Sequence, residues 1–101
     1  MMENEPPKYL ITVTKSKLGA HVLKEVAVLI EPPYSLWEKD KNADLAMVCE
    51  DHVTDSFENT HGPAVNDEII TVSTKRVTRM AQWDHDHAPE KFHFTIVAES
   101  R

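Results

Sequence analysis

The sequence predicts an α+β fold, a four-stranded and mostly antiparallel sheet with one acidic amphipathic helix packed on a face, in the order ββαββ. Three observations carry this expectation. Two segments rich in β-branched and aromatic residues, Lys8 to Thr14 and Lys91 to Ala98, alternate at the period of a strand. Ala43 to Glu58 separates apolar from acidic residues at the period of a helix. The 101 residues suit a single core, with 41% hydrophobic and 28% charged residues, the balance of a globular chain. We divide the chain into an N-terminal tail, 1–7, stiffened by Pro6 and Pro7, and one globular domain, 8–101.

In the first strand Tyr9, Ile11 and Val13 alternate with Leu10, Thr12 and Thr14, so both faces carry apolar bulk and a central position is expected. Ser16 to Gly19 then makes a short hairpin connection. Ala20 to Glu31 fits two patterns. As a strand it aligns Ala20, Val22, Val26, Val28 and Ile30, with Lys24 as an interruption; as a helix it aligns Leu18, Val22, Val26 and Leu29. Its β-branched residues favour the strand, and the alternative order is βααββ. Pro32-Pro33 ends the element in either case. Tyr34 to Lys41 reads as a surface connection that folds Leu36 and Trp37 onto the core edge. Glu68 onward starts as a strand at Ile69-Ile70-Thr71-Val72 and beyond Lys75 either continues or turns helical. In the last strand Phe92, Phe94 and Ile96 define the face expected to be buried.

The helix lies in the most unusual stretch of the chain. Asn42 to Thr74 holds seven carboxylates, Asp44, Glu50, Asp51, Asp55, Glu58, Asp67 and Glu68, and no lysine or arginine. With a net charge of -6 for the whole chain, the remaining residues sum to +1. At about 100° per residue, Leu45, Val48, Cys49, His52, Val53 and Ser56 fall within about 80° of one direction, with Ala46 and Phe57 at its edge. Asp44, Glu50, Asp51, Asp55 and Glu58 occupy the opposite sector. Asn42 is suited to cap the N-terminus and Asp44 to the first turn, whereas Asp55 and Glu58 are unfavourable near the C-terminus. Thr60-His61-Gly62-Pro63 stops the helix.

Composition and motifs exclude much. Gly19 and Gly62 are the only glycines, too few for a P-loop or a dinucleotide fingerprint, whose phosphate loops need several. GxSxG, HExxH, CxxC and EF-hand patterns are absent. The lone Cys49 cannot form an internal disulfide, which points to a reducing, cytoplasmic setting. Met1 to Pro7 is acidic rather than basic and apolar, unlike a signal peptide, and the longest apolar run, Val26 to Ile30, is too short to span a bilayer.

Three groups of residues are candidates for chemistry. His85 and His87 share a face in an extended segment, and Glu90 (or His93) supplies a third donor, a set suited to a transition metal such as iron, nickel or zinc. The simpler reading is a polar hairpin tip with solvated imidazoles. Cys49 and His52, three apart on a helix, have the spacing of a thiolate–imidazolium pair, but both fall on the predicted core side, where an inert thiol beside a satisfied histidine is the expectation. His21 and His61 show no obvious partners. Lys75, Arg76 and Arg79 are the one basic cluster, too small on an acidic chain for a nucleic-acid footprint, and suited to offsetting the acidic block within the chain or in a homodimer.

The functional expectation is therefore a small acidic, non-enzymatic binding protein without a cofactor. Asp44, Glu50, Asp51, Asp55 and Glu58 form its partner-binding face, and the partner is a protein with a basic surface, such as the nucleic-acid site of another protein. Inhibitors and modulators of the phage anti-defence kind fit this description as a class. The alternative, from a different class, is a metal-dependent enzyme or metal-binding protein built on His85, His87 and Glu90. Direct binding of nucleic acid or membrane is not expected.

Overall fold

The structure is a computed structural model that describes residues 8–17, 21–33, 45–77 and 92–100. It is an α+β fold in the expected order: β1 (Lys8–Lys17), β2 (Val22–Glu31), α1 (Leu45–His61), β3 (Glu68–Val77) and β4 (His93–Glu99). The four strands form one antiparallel sheet in the order β3-β1-β2-β4, and the helix packs on one face. β1 is central, as its two-sided apolar pattern requires. The second element is a strand and not the helix of the alternative order. Val26, Val28 and Ile30 are buried, with half-buried Ala27 and Leu29 between them, a period of two that no helix produces.

The core lies between the helix and the two central strands. Tyr9, Ile11 and Val13 of β1 and Val26, Val28 and Ile30 of β2 meet Leu45, Cys49, Val53 and Phe57 of the helix. Each aliphatic side chain sealed there contributes about 1.5–3 kcal/mol relative to exposure. Two expectations within the strands are corrected. Val22 is 51% exposed because the register shifts between Lys15 and Ser16, which breaks its alternation with Val26. Ile96 is 52% exposed although Phe94, one pleat earlier, is half-buried: β4 is an edge strand, and the helix covers β1 and β2 more completely than β4.

The helix is rotated from its expected facing. The buried residues are Leu45, Cys49, Val53 and Phe57, a strict i,i+4 ladder, and Val48 is 37% exposed. At about 100° per residue the inward direction sits about 60° from Leu45, toward Phe57. A large aromatic ring gains more by burial than Val48 does, and the whole helix turns to seat it. The stop falls as expected: Gly62 takes φ 86°, and its N–H donates to the Glu58 carbonyl at 2.8 Å, an αL cap. A tight turn comes next, with Asn66 at φ 52° and the Glu68 N–H donating to the Val65 carbonyl at 2.9 Å. β3 then runs as an unbroken strand to Val77, so the chain stays extended past Lys75 to that residue and does not turn helical there.

Expectations for 1–7, Gly19, 34–41, the Asn42 cap and Asp44 lie outside the described residues.

Candidate functional site

The helix positions Glu50, Asp51, Asp55 and Glu58 off the buried ladder, but only the last three on its outer side. Asp51 and Asp55 are exposed. Glu58 is half-buried, near the C-terminal end. Glu50 does not face solvent as expected. It is half-buried over β3, where its Oε2 accepts a hydrogen bond from the Thr74 hydroxyl. The same rotation that seats Phe57 explains this, since it swings Glu50 to about 80° from the inward direction, over the sheet. Asp44 lies outside the described residues, so the described acidic face consists of Asp51, Asp55 and Glu58. None of these three forms an ion pair among the described residues, and the helix carries no lysine or arginine.

The helix end is anchored by a residue that local sequence reasoning missed. Lys15 of β1 is only 8% exposed, and its Nζ donates to the His61 carbonyl at 2.8 Å while lying 3.9 Å from Glu68 Oε1. A cation at the negative end of the helix dipole satisfies a carbonyl that lacks an intrahelical partner. A Cβ on Gly62 would stand 3.7 Å from that Nζ, so the cap and the glycine turn are packed together. The signal available in the sequence was parity: Lys15 shares a face with Tyr9, Ile11 and Val13, and an inward lysine requires an acceptor. The acceptor itself is 46 residues away.

His61, expected to be without partners, is instead engaged on two sides. Its ring sits 4.9 Å from that of Phe57, and its Nε2 is 4.0 Å from Glu99 Oε2, which Lys24 Nζ approaches at 3.0 Å. These side chains stand beside a cleft of about 80 Å³ between the helix and the β4 side of the sheet. Val13, Val26, Val28, Val53, Phe57, Phe94 and Ile96 line it, with Ser56, Thr60, His61 and Glu99 as the polar lining. Such a volume is well below the roughly 300–1,000 Å³ of small-molecule sites, and fits a single aliphatic group.

Cys49 and His52 do not form a reactive pair. Cys49 is fully buried, and burial, reinforced by the Glu50 carboxylate, pushes its thiol from 9.0 up to about 12. His52 turns toward β4, stacking on Phe92 with ring centroids 4.4 Å apart and meeting Phe94 edge-on at 5.7 Å. An uncharged thiol and an imidazole occupied by two aromatic rings are packing groups. The basic cluster is also divided. Strand alternation places Arg76, opposite Tyr9, on the helix side of β3 and Lys75, opposite Leu10, on the other side; Arg79 lies outside the described residues.

The alternative metal set, His85, His87 and Glu90, lies outside the described residues. Among the described residues no group of three or more His, Cys, Asp or Glu is arranged to hold a metal ion, and no helix is long and apolar enough to cross a membrane. No protein-family model, curated protein or solved structure matches this chain.

Proposed function

We propose that the protein is a non-enzymatic binding module that docks its acidic helix face on a basic protein surface, as an inhibitor or modulator of that partner. One observation carries the reading: Asp51, Asp55 and Glu58 stand on a helix without a lysine or arginine and have no ion-pair partner among the described residues. A helix shaped by solubility alone gains from mixing both charge signs in i,i+4 pairs. Here the same sign recurs, and a basic partner would supply the missing counter-charges. The surface of a nucleic-acid-binding protein is one source of such charge, and displacement of nucleic acid from it is the anti-defence form of this activity. Glu50 plays a structural part, held by Thr74, and is left out of the docking set.

The test uses affinity capture from the native host with partner identification by mass spectrometry, then the triple reversal Asp51→Lys, Asp55→Lys and Glu58→Lys. The captured partner should bind the reversed protein at least about tenfold more weakly, and its binding to the parent should weaken as salt rises, since exposed charges are screened over about 8–10 Å near physiological ionic strength. Unchanged affinity in a reversed variant whose circular dichroism matches the parent would remove the reading.

A further inference from the structure

We infer that β4 is an open edge for strand addition, and that its occupant is an extended peptide segment carrying aliphatic and basic side chains on one face. This deepens the acidic-face reading and rests on it for the partner's charge, while naming a different surface and a different mode of binding. Among the described residues β4 pairs only with β2, leaving its outer edge as a row of backbone donors and acceptors. The two edges of the sheet are not alike. β3 carries Glu68, Lys75 and Arg76, charges that oppose pairing with a further strand, whereas β4 runs His93 to Glu99 without a lysine or arginine. Ile96 and Val97 in its middle are 52% and 53% exposed, the aliphatic surface that a sheet edge normally hides.

Side chains of β4 also line the cleft beside the helix, together with Val13, Val26 and Val28 of the two inner strands. Phe94, Ile96 and Glu99 of β4 line one side, and Val53, Ser56 and Thr60 of the helix line the other. At about 80 Å³ it takes one aliphatic side chain, the kind of pocket by which an added strand is held at alternate residues. Charge selects the rest of the occupant. His52 faces β4 through Phe92 and Phe94, and Asp55, three residues further along the helix, shares that flank at about one turn. Asp55 is exposed and has no ion pair among the described residues, whereas Glu99 is paired with Lys24 at 3.0 Å but keeps 41% of its side chain exposed. A lysine or arginine two residues from the aliphatic anchor lies on the same face of an added strand and reaches toward this acidic rim. The register shift at Val97 interrupts the ladder between Ile96 and Ala98, which leaves His93 to Ile96 as the longest regular run that an added strand can follow.

The probe is the synthetic octapeptide Arg-Thr-Val-Thr-Arg-Thr-Val-Thr, which places arginine and valine on one face of a strand and threonine on the other. Amide resonances are tracked by two-dimensional NMR on the full chain, with hydrogen exchange as a second readout. Binding should shift and protect amides of residues 94–99. Replacing the central threonines with proline, the arginines with glutamate, or Ile96 with lysine should each weaken it by about tenfold or more, as loss of a central contact does. Ile96→Thr, which keeps β propensity, should weaken it less than Ile96→Lys and guards against a variant that merely misfolds. Equal binding of the proline peptide, with shifts confined to Asp51–Glu58, would overturn strand addition and leave the acidic-face reading standing. Absence of binding by every peptide would overturn strand addition, with capture of a basic partner deciding the acidic face separately. Shifts at β4 that grow with protein concentration and need no peptide would mean that a second copy takes the edge, and would also overturn the proposal.

Discussion

Cys49 and Lys15 show how burial fixes what a single side chain can do. The Cys49 thiol, pushed up to about 12 by burial and by Glu50, stays protonated across the physiological range. Its pH linkage has a definite sign. The unfolded chain loses this proton near 9.0 and the folded chain near 12, so the folded state binds more protons between those values. The stabilisation is complete below 9.0 and is lost as pH rises toward 12, at a slope of about 1.4 kcal/mol per pH unit at most. Denaturant titrations at pH 8 and pH 10 should therefore show a less stable protein at pH 10, and Cys49→Ala should shrink that difference. Native Cys49 should also resist alkylation until the chain unfolds; rapid labelling at pH 8 would show that the helix opens. At Lys15 the group to be satisfied is the His61 carbonyl. Lys15→Met keeps the apolar stem and removes the donor, and should destabilise by about 1.5–3 kcal/mol, the range for a hydrogen bond to a charged group, read from urea unfolding.

At the scale of elements, α1 and β4 separate what a sequence pattern carries from what it does not. The helix was legible from its period, and its end from Gly62, because both are local properties of the chain. Its detailed facing was not. A pattern with Leu45, Val48, Cys49, His52 and Val53 in one sector admits more than one inward direction, and the choice was made by seating Phe57 on the sheet. Leu45→Ala should cost about 2–5 kcal/mol, whereas Val48→Ala should stay within about 0.5 kcal/mol, as for a surface position. Similar losses at both sites would restore the facing drawn from periodicity. β4 was legible as a strand, but Ile96 was assigned to the buried face because alternation records parity and not coverage. Strand order is a long-range property: β4 sits at an edge because β2 already pairs with β1, a fact spread over the whole chain. Lys15 and His61 escaped for the same reason, being neighbours in space but 46 residues apart in sequence.

For the molecule as a whole, charge and stability pull in opposite directions. The chain carries a net charge of -6, and the sheet lysines Lys15 and Lys24 pair with the strand carboxylates Glu68 and Glu99 rather than with those of the helix. Asp55 has Asp51 one turn before it and Glu58 one turn after it, two like-charge neighbours that each cost about 0.2–0.5 kcal/mol in a helix. Glu58 also lies in the last turn, where a carboxylate opposes the helix dipole. Neutralising these residues should therefore stabilise the fold. The double variant Asp55→Asn and Glu58→Gln is expected to be more stable by about 0.7–2 kcal/mol, the sum of two relieved repulsions and the dipole cost. The same variant should bind the captured partner more weakly, and the two shifts together are the signature of a surface kept for binding at the expense of stability. Urea unfolding and partner titration on one preparation read both quantities. A variant that loses stability would show that the carboxylates serve the fold. One that gains stability and keeps its affinity would show that this face is solvated and idle, and would leave the β4 edge as the surface to pursue.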